Sequence, residues 1–263
     1  MAEERMDPVS AHSASFWEHA YRYRFAAGYV RDKRVLDIAC GEGYGTAALK
    51  QAGSKSVVGI DLSPSICSRA RKKYGGSFCS GDSHAIPLAD GSIDVIVTFE
   101  TIEHIRGPEA FLDECIRVLT PKGLLIVSTP NKAVHSESPK QNPFHCSEMN
   151  EKDFLNLLSS RFNHTKRYTQ VIKTAPWWSP MSIAATHAEW VGLKGGWRAR
   201  EWMRTLLCPH VSRDLGERDR HSPVEAILAK DNLLAKWVNP YSVRPRSRSE
   251  RERPWYLIAV SHN

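Results

Sequence analysis

Short apolar runs and helix-like stretches alternate from Arg34 to Val127, and this alternation narrows the fold more than any other feature of the chain. "RVLDIAC" (34–40), "SVVGIDL" (56–62), "SFCSGD" (77–82), "SIDVIVTFE" (92–100) and "GLLIVSTP" (123–130) read as strands. "GTAALKQA" (45–52), "SPSICSRARKKY" (63–74) and "GPEAFLDECIRVL" (107–119) read as helices. The second of these has Ser63 as N-cap and Pro64 at its first position. The strands are apolar along their length rather than at every second residue. Strands of that kind are buried on both faces, which predicts an α/β protein with a mostly parallel, doubly wound sheet covered by helices. Further on, "SEMNEKDFLNLLSSRF" (147–162) has helical spacing, "HTKRYTQV" (164–171) reads as a strand, and "WYLIAV" (255–260) as the last strand.

The expected core is therefore residues 1–171 plus 255–263, with a helical insertion at 172–254 before the last strand. The insertion carries six of the eight tryptophans and 15 Lys/Arg against 9 Asp/Glu, so nearly all of the net charge of +7 lies there. "PMSIAATHAEWVGL" and "PVEAILAKDNLLAKWV" are its helix-like pieces. It reads either as a lid over a ligand site or as a small packing subdomain. Its charge points either to an anionic ligand or surface, or to an ordinary solvated face. "RPRSRSERER" (244–253) mixes signs and looks more like a linker than a nucleic-acid patch. No apolar run is long enough for a membrane span. The charged start, "MAEERMDPVSAHS", does not read as a secretory signal. The six cysteines form no CxxC pair, which fits reduced thiols and a cytoplasmic location.

"VLDIACGEGYGT" (35–46) places Gly41, Gly43 and Gly45 between a strand and a helix. Glycines there let the backbone approach a ligand, and a helix N-terminus points N–H groups at it. A Walker loop would need Gly-Lys-Ser/Thr, which is absent, and a dinucleotide fingerprint would want Gly where Thr46 stands. Asp37 lies inside the first strand. Asp61 ends the second, where a carboxylate can accept both hydroxyls of a ribose. Asp82 follows the third, placed for an adenine edge.

Together "VLDIACGEGYG", "VVGIDLS", "GDSHAIPLADGSIDVIVTFETIEHI" and "RVLTPKGLLIVSTPN" resemble class I S-adenosylmethionine-dependent methyltransferases over roughly residues 20–170 and 255–261. The resemblance implies a Rossmann-like sheet of seven strands whose last strand is an antiparallel edge. It implies S-adenosyl-L-methionine as cofactor, with Ala39, Gly41 and Gly43 at its methionine end and Asp37 supporting them. It also implies Asp61 on the ribose, Leu62 beside the adenine, Asp82 and Ser83 on the adenine edge, and Glu100 against the cofactor. "HAYRYRFAAGYV" and "NPFHCSEMNEKDF" are similar to segments of bacterial glycan and sugar methyltransferases.

"FETIEHI" (99–105) sets Glu100, Glu103 and His104 at the carboxyl end of the fourth strand. In one helical turn these positions would share a face, and two carboxylates with an imidazole make a divalent-cation site. His145 in "NPFH" is the candidate fourth ligand. The pattern resembles metal-dependent O-methyltransferases of ubiquinone biosynthesis and of small-RNA 3′ ends. The metal reading, with Mg²⁺ or another divalent ion, competes with a metal-free histidine base at His145 or His104 and with purely structural roles. The candidate catalytic residues are His104, His145 and Glu103. His84, His135 and His187 read as ordinary surface or loop histidines.

The expected function is methyl transfer to a hydroxyl of a sugar or glycan, or of another small-molecule acceptor, anionic or not. The alternatives are RNA 2′-O-methylation, N-methylation of an amino-sugar or other small molecule, and a non-catalytic binding protein that keeps the sheet. Nothing in the sequence speaks to oligomeric state.

Overall fold

Val35 and Leu36 are neighbours in sequence but bury in different places. Val35 joins an apolar cluster with Tyr23, Leu49, Val95 and Ile126. Leu36 joins another, with Ile96, Phe111, Leu112 and Leu125. The same split recurs at Val95 and Ile96 and at Leu125 and Ile126. Side chains alternate across a strand, so a strand with apolar residues at every position needs a core on each side.

In this computed structural model the chain is described over residues 14–135, 143–172, 241–245 and 256–263. The helices are α1 (Ala14–Ala26), α2 (Tyr44–Gln51), α3 (Pro64–Tyr74), α4 (Pro108–Val118), the short α5 (Lys132–His135) and α6 (Glu151–Ser159). The strands are β1 (Arg34–Ile38), β2 (Ser56–Asp61), β3 (Ser77–Ser80), β4 (Ile93–Phe99), β5 (Leu119–Pro130), β6 (His164–Ile172), β7 (Tyr241–Pro245) and β8 (Tyr256–His262). They form one sheet in the order β3-β2-β1-β4-β5-β8-β6-β7. Neighbours from β3 to β5 pair parallel, and β8 pairs antiparallel with both β5 and β6. Residues of α1 and α2 lie in the first cluster, and residues of α4 and α6 in the second.

The expected doubly wound α/β fold is present, and all seven expected strands are in the sheet. Two details differ. The last strand is not the edge: β8 inserts between β5 and β6, and its run Leu257–Val260 is buried throughout. A strand with both faces apolar is better placed inside a sheet than at its rim. An eighth strand, β7, pairs antiparallel with β6 from Tyr168↔Pro245 to Ile172↔Tyr241. It lies within the 172–254 segment, whose tryptophans and helix-like pieces fall outside the described residues. The helix α1 was not anticipated; Ala20, Tyr23 and Ala26 are its buried face.

The chain winds outward from β1 to β3 in one direction and from β4 to β5 in the other. The carboxyl ends of β1 and β4 therefore flank the point where strand order reverses, the place where such sheets hold ligands. No helix among the described residues is long and apolar enough to cross a membrane.

Candidate functional site

Two non-glycine residues with left-handed backbone stand at that reversal point. Ala39 (φ 57°) follows the last residue of β1, and Glu100 (φ 52°) follows the last residue of β4. Such conformations are disfavoured for side-chain-bearing residues and collect at functional sites. Beyond Ala39 the loop continues through Gly41 (φ 51°) and Gly43 (φ 81°) into α2. A Cβ on Gly41 would meet nothing within 4 Å, so that side of the loop is open to a ligand. At Gly43 and Gly45 the protein itself leaves no room for a side chain. A Cβ on Gly43 would fall 2.7 Å from Ala70 Cβ, and one on Gly45 2.0 Å from Tyr23 Cζ.

Asp37 is fully buried beneath the loop. It accepts a hydrogen bond from Tyr23 Oη at 3.0 Å and one from Thr46 Oγ1 at 2.6 Å. Burial pushes its carboxyl up to about 7 against the opposing pull of these two donors. Asp37 thus ties β1 to α1 and α2, and it supports the loop from below rather than facing a ligand.

Asp61, at the end of β2, accepts from Gly41 N and Ser63 N, each at 3.0 Å. A carboxylate has about four acceptor positions, so about two remain after these bonds. Leu62 beside it is 73% exposed. Asp82 is exposed and accepts from His84 N at 2.9 Å; His84 Nε2 lies 2.9 Å from Arg106 O. His84 is an exposed loop residue, as expected, and it braces the β3 loop against the β4 loop. Ser83 sits half-buried between Asp82 and His84.

At the end of β4 the chain makes one 3-10 turn over Ile102–His104. This changes the expected ligand set. Glu100 lies before the turn. Its Oε1 accepts from Ser128 Oγ at 2.7 Å and lies 4.0 Å from Arg22 Nη2. Glu103, His104 and His145 do converge: each offers a ligand atom, all within 4.8 Å of one another. The structure thus brings together three of the four predicted ligands and leaves Glu100 out.

Each of the three is held from behind. Glu103 is fully buried; its Oε2 accepts from Thr129 Oγ1 at 3.1 Å, and its Oε1 has no hydrogen-bond partner. Burial, and then the nearby Glu100 charge, raise its carboxyl well above the usual range. His104 Nδ1 lies 3.1 Å from Phe144 O, and His145 Nδ1 lies 2.7 Å from Glu148 Oε1. The Glu103 carbonyl accepts from Cys146 N at 2.8 Å and Ser147 N at 2.9 Å, which clamps the loop carrying His145 to the turn.

A sequence profile for the methyltransferase domain matches residues 36–127. A probable S-adenosylmethionine-dependent methyltransferase of Mycolicibacterium smegmatis is 34% identical over 148 residues, covering 55% of this chain and 57% of that protein. Norajmaline N-methyltransferase of Rauvolfia serpentina is 32% identical over 214 residues, covering 71% of this chain and 72% of that protein. The chain belongs to the S-adenosylmethionine-dependent methyltransferases. A solved structure from Thermotoga maritima, described as a methyltransferase with possible histamine N-methyltransferase activity, shares the fold. Its TM-score is 0.58 at 15% identity, over 97% of this chain and 95% of that one. The match spans little more than half the length of the Mycolicibacterium smegmatis protein.

The site of this methyltransferase fits the cofactor its family implies. Open space at Gly41, spare acceptor capacity on Asp61 and the exposed Leu62 lie along the carboxyl ends of β1 and β2. Sequence reasoning passed over Tyr23, Thr46, Arg22, Ser128 and Glu148. Tyr23, Arg22 and Ser128 act through residues distant in sequence, a link that no local pattern reveals, whereas Thr46 stands in the same strand-and-loop motif as Asp37. Glu148 was legible: it stands three residues after His145.

Proposed function

We propose that this methyltransferase moves the methyl group of S-adenosyl-L-methionine to a hydroxyl of a sugar or glycan, with a divalent cation at Glu103, His104 and His145. The observation that carries the reading is the convergence of those three side chains at the end of β4, beside the cofactor loop. In this reading Asp61 receives the two ribose hydroxyls, Leu62 covers the adenine, and Asp82 and Ser83 hold its edge. The Gly41 backbone lies against the methionine end. A bound cation would lower the pKa of the acceptor hydroxyl. Glu103 would offset the cation's charge. When bound, the cofactor would supply its methyl group from the sulfonium, and a base near the acceptor would take the hydroxyl proton.

The test is transfer of labelled methyl from the cofactor to a panel of sugars, glycosides and RNA ends, using chelator-stripped protein. Transfer should need an added divalent ion and vanish in Glu103→Gln, with S-adenosylhomocysteine binding retained. Undiminished transfer in chelator sinks the cation. One observation favours a second reading: the relative matched over 72% of its length is an N-methyltransferase. A neutral amine is already nucleophilic, so methylation of an amino-sugar or other amine in chelator would select this reading.

A further inference from the structure

We propose that the site at Glu103, His104 and His145 selects an imidazole-preferring transition-metal ion of the Zn²⁺, Co²⁺ or Fe²⁺ kind over Mg²⁺. The inference rests on the cation-assisted reading above and adds the class of ion.

The donor set decides it. Two imidazoles and one carboxylate lie within 4.8 Å of one another. Mg²⁺ demands near-octahedral oxygen ligation and keeps several waters. Imidazole suits Zn, Fe, Ni and Cu, and two histidines with one glutamate and an open position is a recurrent catalytic zinc arrangement. A second carboxylate would have tilted the balance toward a hard ion. Glu100 is the residue that could supply it, and it is not among the converging ligand atoms. Ser128 Oγ donates to it at 2.7 Å, and Arg22, itself buried, lies 4.0 Å away.

The histidines are also prepared as ligands. Hydrogen bonding of Nδ1 to the Phe144 carbonyl in His104 and to the Glu148 carboxylate in His145 selects the tautomer with its lone pair on Nε2. Their rings stand 4.8 Å apart at 75°. The two backbone bonds to the Glu103 carbonyl fix the His145 loop against the turn. The fully buried Glu103 has an oxygen without a hydrogen-bond partner, an atom that a cation would satisfy.

The experiment is calorimetric titration of Zn²⁺, Co²⁺ and Mg²⁺ into the tag-free, chelator-stripped full chain, with the visible absorption of bound Co²⁺ read in parallel. We expect saturable Zn²⁺ and Co²⁺ binding and no saturation by Mg²⁺ at the same concentrations. Glu103→Gln and His145→Ala should each weaken Co²⁺ by more than the about 10–100-fold that loss of an outer hydrogen-bond partner costs and alter its spectrum, while Glu100→Gln, which removes only a neighbouring charge, changes the affinity by less than either. Mg²⁺ binding comparable to Co²⁺, and lost in Glu100→Gln, would overturn the selectivity but leave the cation-assisted reading standing. Co²⁺ binding undisturbed in both Glu103→Gln and His145→Ala would overturn the site. Absence of any ion binding would overturn the inference and the cation-assisted reading together.

Discussion

The phenol ring of Tyr23 fills the space where a side chain on Gly45 would begin, with its Cζ 2.0 Å from the position of a Cβ. The third glycine of the loop is therefore required by the packing of α1. Gly45→Ala should push α1 off the sheet and cost about 1–3 kcal/mol, the scale of overpacking in a filled core. Thermal unfolding of Gly45→Ala and of the double variant Gly45→Ala/Tyr23→Leu checks this. The double variant should recover part of the loss, because the ring has gone. No destabilisation in Gly45→Ala would mean that α1 is not seated on the loop.

Asp37 gives a pH dependence of definite sign. In the folded protein its carboxyl keeps its proton to about pH 7, whereas in the unfolded chain it loses it near about pH 3.9. Between those values the folded state binds more protons, so Asp37's contribution to stability is fully present below about pH 4 and is lost as pH rises toward about 7. Across about three pH units the decline is on the order of 4 kcal/mol. Asp37→Asn keeps the shape and removes the titration. Subtracting its unfolding free energies from those of the parent, from pH 4 to 8, isolates this group from others such as Asp94. Arg34 holds that carboxyl down at about 2, so its contribution runs the other way. A flat difference would show that Asp37 is already ionised at pH 5.

The parallel half of the sheet was legible because its strands carry their burial in their own residues. Ile93, Val95, Ile96 and Val97 leave no polar face to turn outward. The position of β8 was not, because strand order beyond β5 is set by pairing between residues far apart, as in Thr169↔Leu257. The candidate ligands were found by spacing, yet spacing assumed a regular helical turn. The 3-10 turn starts after Glu100, and so Glu100 drops out of the set. The support given by Tyr23, Arg22 and Ser128 depends on which elements touch, information that no single motif holds.

Asp61 is the acid on which cofactor affinity should depend most. Its carboxylate holds the loop through Gly41 N and the start of α3 through Ser63 N. Asp61→Ala should weaken S-adenosylhomocysteine binding by about 1–3 kcal/mol, the scale for stranding hydrogen-bonded partners. Calorimetry measures this directly. Unchanged affinity would remove Asp61 from the ribose.

Glu148 tests whether His145 is a working residue. The carboxylate lies 2.7 Å from His145 Nδ1 and is partly buried with it. If His145 binds a cation or takes a proton at Nε2, the bond at Nδ1 sets the ring's tautomer and orientation, and the carboxylate raises its basicity. Glu148→Gln can still accept at Nδ1 but has lost its charge, whereas Glu148→Ala loses both. Cation affinity or methyl transfer should therefore fall by about 10–100-fold in Glu148→Ala and by less in Glu148→Gln, with S-adenosylhomocysteine affinity unchanged in both. A purely structural contact would produce a different pattern: lower thermal stability, with transfer per folded molecule preserved.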